Sequence, residues 1–167
     1  LYNFFMRVIW APWRIKYINE SKKKKECFIC QIIKDEKDEE NLVVYRGKNT
    51  IIIMNKFPYN SSHIMISPIR HIENFYELTD EEVQEIFKLI SESQKIIKDL
   101  YNPDGFNLGV NIGKAAGAGE DHLHFHLVPR WFGDTNFMTV ISETRVMPES
   151  IVEVHKKLKE AFIESNK

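Results

Sequence analysis

Between Asp121 and Val128 the chain alternates histidine with hydrocarbon: His122, His124 and His126 are separated by Leu123 and Phe125, and Leu127 follows. A period of two belongs to an extended strand, whose side chains point alternately to opposite faces. One face is then imidazole and the other hydrocarbon. A strand rises ~3.3 Å per residue, so the first and last histidines stand roughly 13 Å apart. Zn–N bonds are about 2 Å, so one metal cannot bind all three. At least one histidine must serve another purpose.

The chain is 167 residues long with 43% hydrophobic residues, the size of one domain with a proper core. Residues 6–167 are expected to form that single domain, with residues 1–17 as an N-terminal arm. With 23 basic and 24 acidic residues the net charge is -1, which argues against a nucleic-acid backbone binder. The run from Lys22 to Lys25 reads as a solvated loop. No apolar stretch reaches the ~18–20 residues of a membrane span. Leu1 to Phe5 is apolar but short, and Met6 is expected to be the natural start, with the preceding residues an extension or remnant. No signal-peptide cleavage pattern follows. Cys27 and Cys30 are the only cysteines, which suits a cytoplasmic protein better than a disulfide scaffold.

Trp10 and Trp13 predict an aromatic anchor that packs the N-terminal arm onto the body or onto a second subunit. Cys27-Phe28-Ile29-Cys30 is half of a zinc site, a pair of reduced thiols or a redox pair. No βαβ pattern surrounds it, which disfavours redox, and His63, His71 and His122 are available as further ligands. Residues 41–47 and 50–55 read as two strands joined by a turn at Gly47-Lys48-Asn49. A third strand runs from His63 to Pro68. Thr79 with Glu82 three residues later forms a capping box. The following helix of about 20 residues repeats Val83, Ile86, Phe87, Ile90, Ile97 and Leu100 at helical spacing, a stripe expected to be core. Residues 105–111 give a fourth strand, and the histidine stretch the fifth. Residues 128–137 read as a loop, and an apolar pattern between Pro148 and Ile163 marks a C-terminal helix. Five antiparallel strands with two main helices make an α+β fold.

Residues 112–120 hold three of the seven glycines, among almost entirely small side chains. Such a loop lets backbone N–H groups approach a ligand and can cradle phosphate oxygens. It lacks the Gly-Lys-Ser/Thr of a Walker loop. Its junction with the histidine strand is informative, because neutral imidazole is a competent nucleophile toward phosphorus near pH 7. Amide donors next to it could stabilise charge as the bond breaks. Nucleotidyl or phosphoryl transfer through a histidine intermediate is one reading. A metallohydrolase, in which two histidines and Asp121 or Glu120 hold a catalytic metal, is another. A purely structural histidine strand is the third.

His122-Leu123-His124-Phe125-His126-Leu127-Val128 resembles the signature of the histidine-triad (HIT) family. Residues 54–60 leading to His63-Ile64-Met65, then Pro68-Ile69-Arg70-His71, Phe106-Asn107-Leu108 and residues 128–137 resemble one branch of that family. So does Trp10-Ala11-Pro12-Trp13-Arg14. It is the branch of bacterial and archaeal proteins related to diadenosine tetraphosphate phosphorylases and hydrolases. The resemblance implies a five-stranded antiparallel sheet with helices, as a homodimer, acting on a dinucleoside polyphosphate. It implies His124 as the nucleophile at the α-phosphorus, forming a nucleotidyl-histidine, and His126 as a hydrogen-bond partner of phosphate or leaving group. It further implies Asn55 at the ribose hydroxyls, Asn111 at the phosphate, and the backbone of Gly117, Ala118 and Gly119 as the phosphate cradle. Other branches carry Gln and Ser where this chain has Ala118 and Gly119, so side-chain phosphate contacts are lost there. Zinc-containing members imply a structural site at Cys27, Cys30, His71 and His122, with His63 the rival of His71. A nucleotide-binding interaction module with weak turnover is the alternative function.

Overall fold

The computed structural model describes residues 26–135 and 147–166. The tryptophan arm, the lysine run and the far end of the loop after the histidines, from Asn136, lie outside the described residues. Two short helices open the described chain, α1 (Phe28–Asp35) and α2 (Asp38–Asn41). The strands β1 (Val43–Arg46), β2 (Thr50–Met54) and β3 (Ile64–Pro68) follow. Helix α3 (Asp80–Tyr101) leads to β4 (Gly105–Val110), β5 (Phe125–Arg130) and α4 (Ile151–Ser165). The sheet is antiparallel with order β1-β2-β3-β5-β4, so the five-stranded α+β expectation holds.

The order follows from which strands can be buried on both faces. In β2, the run Ile51-Ile52-Ile53-Met54 is apolar throughout and wholly buried. Ile52 and Met54 face the main core with Ile86 and Ile97 of α3, whereas Ile51 and Ile53 pack against Ile29 and Ile32 of α1. Burying one such isoleucine side chain is worth about 1.5–3 kcal/mol. Phe125 and Leu127 of β5 enter the main core on the α3 side. His126 pairs with Met65, which pairs with Ile53, so the histidine is on the opposite face, the one that α1 covers over β1 and β2.

Thr79 caps α3: its Oγ1 accepts from the Glu82 N–H at 3.3 Å, and the Glu82 carboxylate accepts from the Thr79 N–H at 2.9 Å. Glu82 also receives two hydrogen bonds from Arg70, both 2.8 Å, which ties the segment carrying His71 to the start of the helix. The Glu85 carboxylate accepts from the amides of Lys48 and Asn49, both at 2.8 Å, and holds the β1–β2 turn. A Cβ at Gly47 would run into that carboxylate.

Several expectations are corrected in detail. The buried face of α3 runs through Glu82, Ile86, Leu89, Ile90, Ser93, Ile96 and Ile97; Val83, Phe87 and Leu100 of the expected stripe are exposed. Helical spacing places them near the stripe but on its rim, and the sheet contacts only its centre. Residues 28–35 are helical where no element was expected, and Asn41 ends α2 rather than opening β1. The fifth strand begins at Phe125 and runs through Arg130, so Val128 to Arg130 belong to strand rather than loop, and His122 to His124 precede the ladder. Ser150 caps α4 by accepting from the Glu153 N–H at 3.3 Å.

Candidate functional site

Two sites meet on the segment that enters β5. The first gathers Cys27 and Cys30 from the start of α1, His71 from the segment after β3, and His122. Their ligand atoms all lie within 4.8 Å of one another. His122 Nδ1 is 3.4 Å from Cys27 Sγ and 3.5 Å from Cys30 Sγ, and His71 Nδ1 is 3.2 Å from Cys30 Sγ. With Zn–S near 2.3 Å and Zn–N near 2.05 Å, a tetrahedral ion sets its S···N edges at about 3.5 Å. The spacing fits that ion, and two thiols with two imidazoles are its usual structural donor set. These residues could therefore hold a metal, with zinc suited to the donors. Burial pushes the Cys27 thiol up to about 11, so metal binding there must displace a proton. His122 is held down to about 4, first by burial. Its Nε2 is 2.9 Å from the Pro68 carbonyl oxygen, which can only accept. The proton is therefore on Nε2, and the Nδ1 lone pair faces the thiols. Neither Asp121 nor Glu120, the carboxylates considered for a catalytic metal, belongs to this group, and no other such group occurs among the described residues.

The second site holds His124, His126 and His63. His124 Nδ1 lies 2.7 Å from the His122 carbonyl oxygen. The same reasoning puts the proton on Nδ1 and leaves the Nε2 lone pair free. His124 is buried, and burial holds its pKa below the ordinary histidine value. The ring is therefore neutral at pH 7, with an unshared pair aimed away from its own backbone. The rings of His124 and His126 meet nearly edge to face, with centroids 4.8 Å apart.

His63 is fully buried immediately before β3, and its Nε2 is 3.0 Å from His126 Nδ1. Its Nδ1 accepts from the Tyr59 backbone N–H at 3.1 Å. His63 is thus neutral with its proton on Nε2, which donates to His126 Nδ1. His126 in turn carries its proton on Nε2, as a donor. Burial holds the His126 pKa down to about 4. Sequence reasoning considered His63 as a strand-end histidine or a rival metal ligand; the fold leaves it out of the cysteine cluster. The signal that could have found it is the register of β3 on β5, which brings Met65 opposite His126 and so His63 within reach.

The remaining expected residues lie around these two sites. Asn55 directly follows β2, and its Oδ1 accepts from the Phe57 N–H at 2.9 Å, fixing the turn. Asn111 lines a small cavity of about 80 Å³ with Glu73, Asn74, Glu120, Asp121 and His122. Gly113 and Gly117 take positive φ values of 77° and 89°, where a Cβ would be strained. The Gly117 N–H donates to the Lys114 carbonyl at 3.1 Å and the Ala118 N–H to the Gly113 carbonyl at 3.3 Å. Two of the three amides expected to cradle phosphate are therefore engaged within the loop itself.

The loop after β5 is fastened by Asp134, a residue that sequence reasoning passed over. Its carboxylate accepts from Arg130 Nε at 2.6 Å and Nη2 at 2.9 Å, from Asn60 Nδ2 at 2.8 Å and from the Trp131 N–H at 3.2 Å. The Arg130 guanidinium holds the Asp134 carboxyl well below the usual carboxylate range. Asn60 also donates to the Pro129 carbonyl at 3.1 Å. This clamp joins the end of β5 to the turn whose Tyr59 amide sets the state of His63.

Comparison with known proteins agrees with this geometry. The HIT domain family model matches residues 36–133. A Mycobacterium tuberculosis protein named AP-4-A phosphorylase is 36% identical over 158 residues, covering 90% of this chain and 81% of that protein. The crystal structure of a Sulfolobus tokodaii protein described as a hypothetical histidine triad nucleotide-binding protein superposes with a TM-score of 0.67 at 31% identity, covering 83% of this chain and 93% of that one. A zinc-bound histidine triad family protein from Mycobacterium smegmatis has a TM-score of 0.67 at 24% identity, covering 87% and 97%, and shares the fold.

Proposed function

Because the chain belongs to the HIT domain family, we propose that it cleaves diadenosine tetraphosphate by nucleotidyl transfer, with inorganic phosphate as the second nucleophile. The observation that carries this reading is the state of His124: neutral, its Nδ1–H donated to the His122 carbonyl, its Nε2 pair available. A nucleophile toward phosphorus needs that arrangement. The choice of substrate, and of phosphate over water, rests on the relative that is 36% identical.

His124 Nε2 attacks the α-phosphorus, the P–O bond to the leaving ATP breaks, and AMP stays on the ring as an N–P bond. His126 donates its Nε2–H to the oxygens that gain charge in that step. Phosphate oxygen then attacks the same phosphorus, the N–P bond breaks, ADP leaves, and His124 returns to its starting tautomer. Asn55 contacts the ribose hydroxyls and Asn111 the phosphate. For Gly117, Ala118 and Gly119 to cradle phosphate oxygens, the turn at Lys114 must release the Gly117 and Ala118 amides.

Cys27, Cys30, His71 and His122 would hold a structural zinc, which supplies four bonds between α1, the segment after β3 and the entry to β5. Residues 6–167 act as one domain with residues 1–17 as its arm. The protein works as a homodimer: β4 ends the sheet, no strand pairs with its outer edge among the described residues, and Leu108 there is 47% exposed. No helix among the described residues is long and apolar enough to cross a membrane; the cysteine usage suits the cytoplasm, and the near-neutral charge leaves nucleic acid out as a partner.

Incubation with diadenosine tetraphosphate, with and without phosphate, tests the reading. ADP plus ATP formed only with phosphate supports it. AMP plus ATP in both conditions makes the protein a hydrolase instead. A His124→Ala variant that turns over at the wild-type rate sinks the covalent mechanism.

A further inference from the structure

Strand β3 ends on a proline inside the sheet, between β2 and β5. The Asn55 N–H donates to the His63 carbonyl at 3.0 Å. Backbone bonds of an antiparallel strand alternate between its two neighbours, so Met65 and Ser67 also turn theirs to β2, whereas Ile64, Ile66 and Pro68 turn theirs to β5. The register that sets Ile66 opposite Phe125 continues to set Pro68 opposite Leu123. Proline has no N–H. The buried Leu123 therefore loses the donor that the ladder would have given its carbonyl. Ser67, fully buried, supplies one: its Oγ lies 2.8 Å from the Leu123 carbonyl oxygen. The same Oγ is 3.2 Å from the Pro68 carbonyl, which already accepts the His122 Nε2–H at 2.9 Å.

Two peptide planes flank Leu123. The first carries the His122 carbonyl and the Leu123 N–H, and the bond from that N–H to the Ile72 carbonyl at 2.7 Å fixes it. The second carries the Leu123 carbonyl and the His124 N–H, and Ser67 holds it. His124 itself precedes the paired residues of β5, which begin at Phe125. We propose that Ser67 is a positioning residue for the nucleophile: its hydroxyl stands in for the amide that Pro68 lacks and holds the Leu123–His124 peptide, so that the His124 ring presents its Nε2 pair to phosphorus. Without the hydroxyl that peptide rotates, and the ring moves with it. This inference rests on the proposed role of His124, but the state of the peptide can be read without turnover.

Leu123-His124 is the one Leu-His pair in the sequence. Protein labelled with ¹³C at leucine carbonyls and ¹⁵N at histidine therefore gives a single carbonyl-to-amide NMR correlation, from this peptide. Ser67→Ala should shift that signal. Adding Pro68→Ala should return it toward the wild-type position, because residue 68 then has an amide that can donate to the Leu123 carbonyl. A signal unmoved in Ser67→Ala overturns the proposal, whatever the activity assay reports.

In turnover of diadenosine tetraphosphate with phosphate, Ser67→Ala should lower kcat by about 10–100-fold with little change in KM, the scale of a misplacement near 1 Å at a reacting group. The Ser67→Ala/Pro68→Ala double variant should recover most of that loss. A hydroxyl that only stabilises the fold would move the urea midpoint and leave kcat at 25 °C at the wild-type value, and that result overturns the positioning role. Should Ser67→Ala not stay folded, the double variant decides. Near-wild-type kcat supports the exchange of hydroxyl for amide, and a folded double variant with kcat still depressed overturns it. Wild-type turnover by His124→Ala would sink the nucleophile reading separately and would leave the NMR result as it stands.

Discussion

His63 and His126 meet nitrogen to nitrogen at 3.0 Å, one from the turn before β3 and one from the middle of β5. The Tyr59 amide donates to the far side of the His63 ring at 3.1 Å, so the proton order along the three groups has one solution. His126 is left as an Nε2–H donor. A residue with no expected catalytic role thereby decides what another can do.

Replacing His63 by Phe keeps much of the ring volume and removes the donor to His126. His126 can then place its proton on either nitrogen. The expected result is a fall in kcat of about 10²-fold, the lower end of what one positioned proton donor contributes, with a lower Tm because the Tyr59 N–H loses its buried acceptor. Steady-state kinetics with thermal denaturation on the same samples distinguish this from simple unfolding; a variant with wild-type kcat removes His63 from the mechanism.

Replacing His124 by Ala should remove the covalent intermediate. Acid-quenched protein exposed to substrate labelled at the α-phosphorus should carry label in the wild type and none in the variant. His126→Ala should keep the label but slow its appearance, because the nucleophile is intact while the donor is gone. Label retained in the His124 variant would move the nucleophile elsewhere.

The acid limit follows from burial. His126 has a folded-state pKa of about 4 against an ordinary value of 6.5. As pH falls below 6.5 the unfolded chain binds the proton first, so the folded state is penalised. The contribution to stability is complete above pH 6.5 and is lost as pH falls through about 4. While one proton separates the two states the slope is about 1.4 kcal/mol per pH unit. Urea midpoints at pH 7 and pH 5 should differ in that direction. The acid limb of kcat/KM should likewise lie well below the pKa of a free imidazole.

Asp134 tests the clamp around the Tyr59 turn. Asp134→Ala removes the acceptor of Arg130, Asn60 and the Trp131 amide together and leaves those donors to water or to nothing. A loss of about 1–3 kcal/mol is expected from donors left unpaired, read as a lower urea midpoint at unchanged slope. If the clamp also sets His63, the variant should lose kcat beyond what its stability loss explains at 25 °C. A variant with full kcat would confine Asp134 to stability.

Chelation separates a structural from a catalytic metal. Removing metal from the four-residue cluster should lower the Tm. Activity should follow the metal content and return on adding Zn²⁺. Activity abolished by chelation while the Tm stays unchanged would instead put a metal in the chemistry.

The strands, the capping box of α3 and the chemistry of the histidine stretch were legible in the sequence because they are local. Alternation between Leu123, Phe125 and Leu127 follows from a period of two, and Thr79 with Glu82 satisfies orphan amides three residues apart. The grouping of Cys27 and Cys30 with His71 and His122 came from the family resemblance rather than from spacing, and the fold then placed their ligand atoms together. What the sequence could not determine depends on register between elements far apart in the chain. Val83, Phe87 and Leu100 fit the helical period as well as Ile86 does, and only the position of the sheet decides which are covered. The partner of His126 is 63 residues away, and a shift of one residue in the β3–β5 pairing would turn it to the other face. Which group meets each ring nitrogen of the three neighbouring histidines was likewise decided by tertiary structure. An imidazole takes its role from whichever group meets each nitrogen, and those groups are Cys27, Cys30, Pro68, the His122 carbonyl and His63.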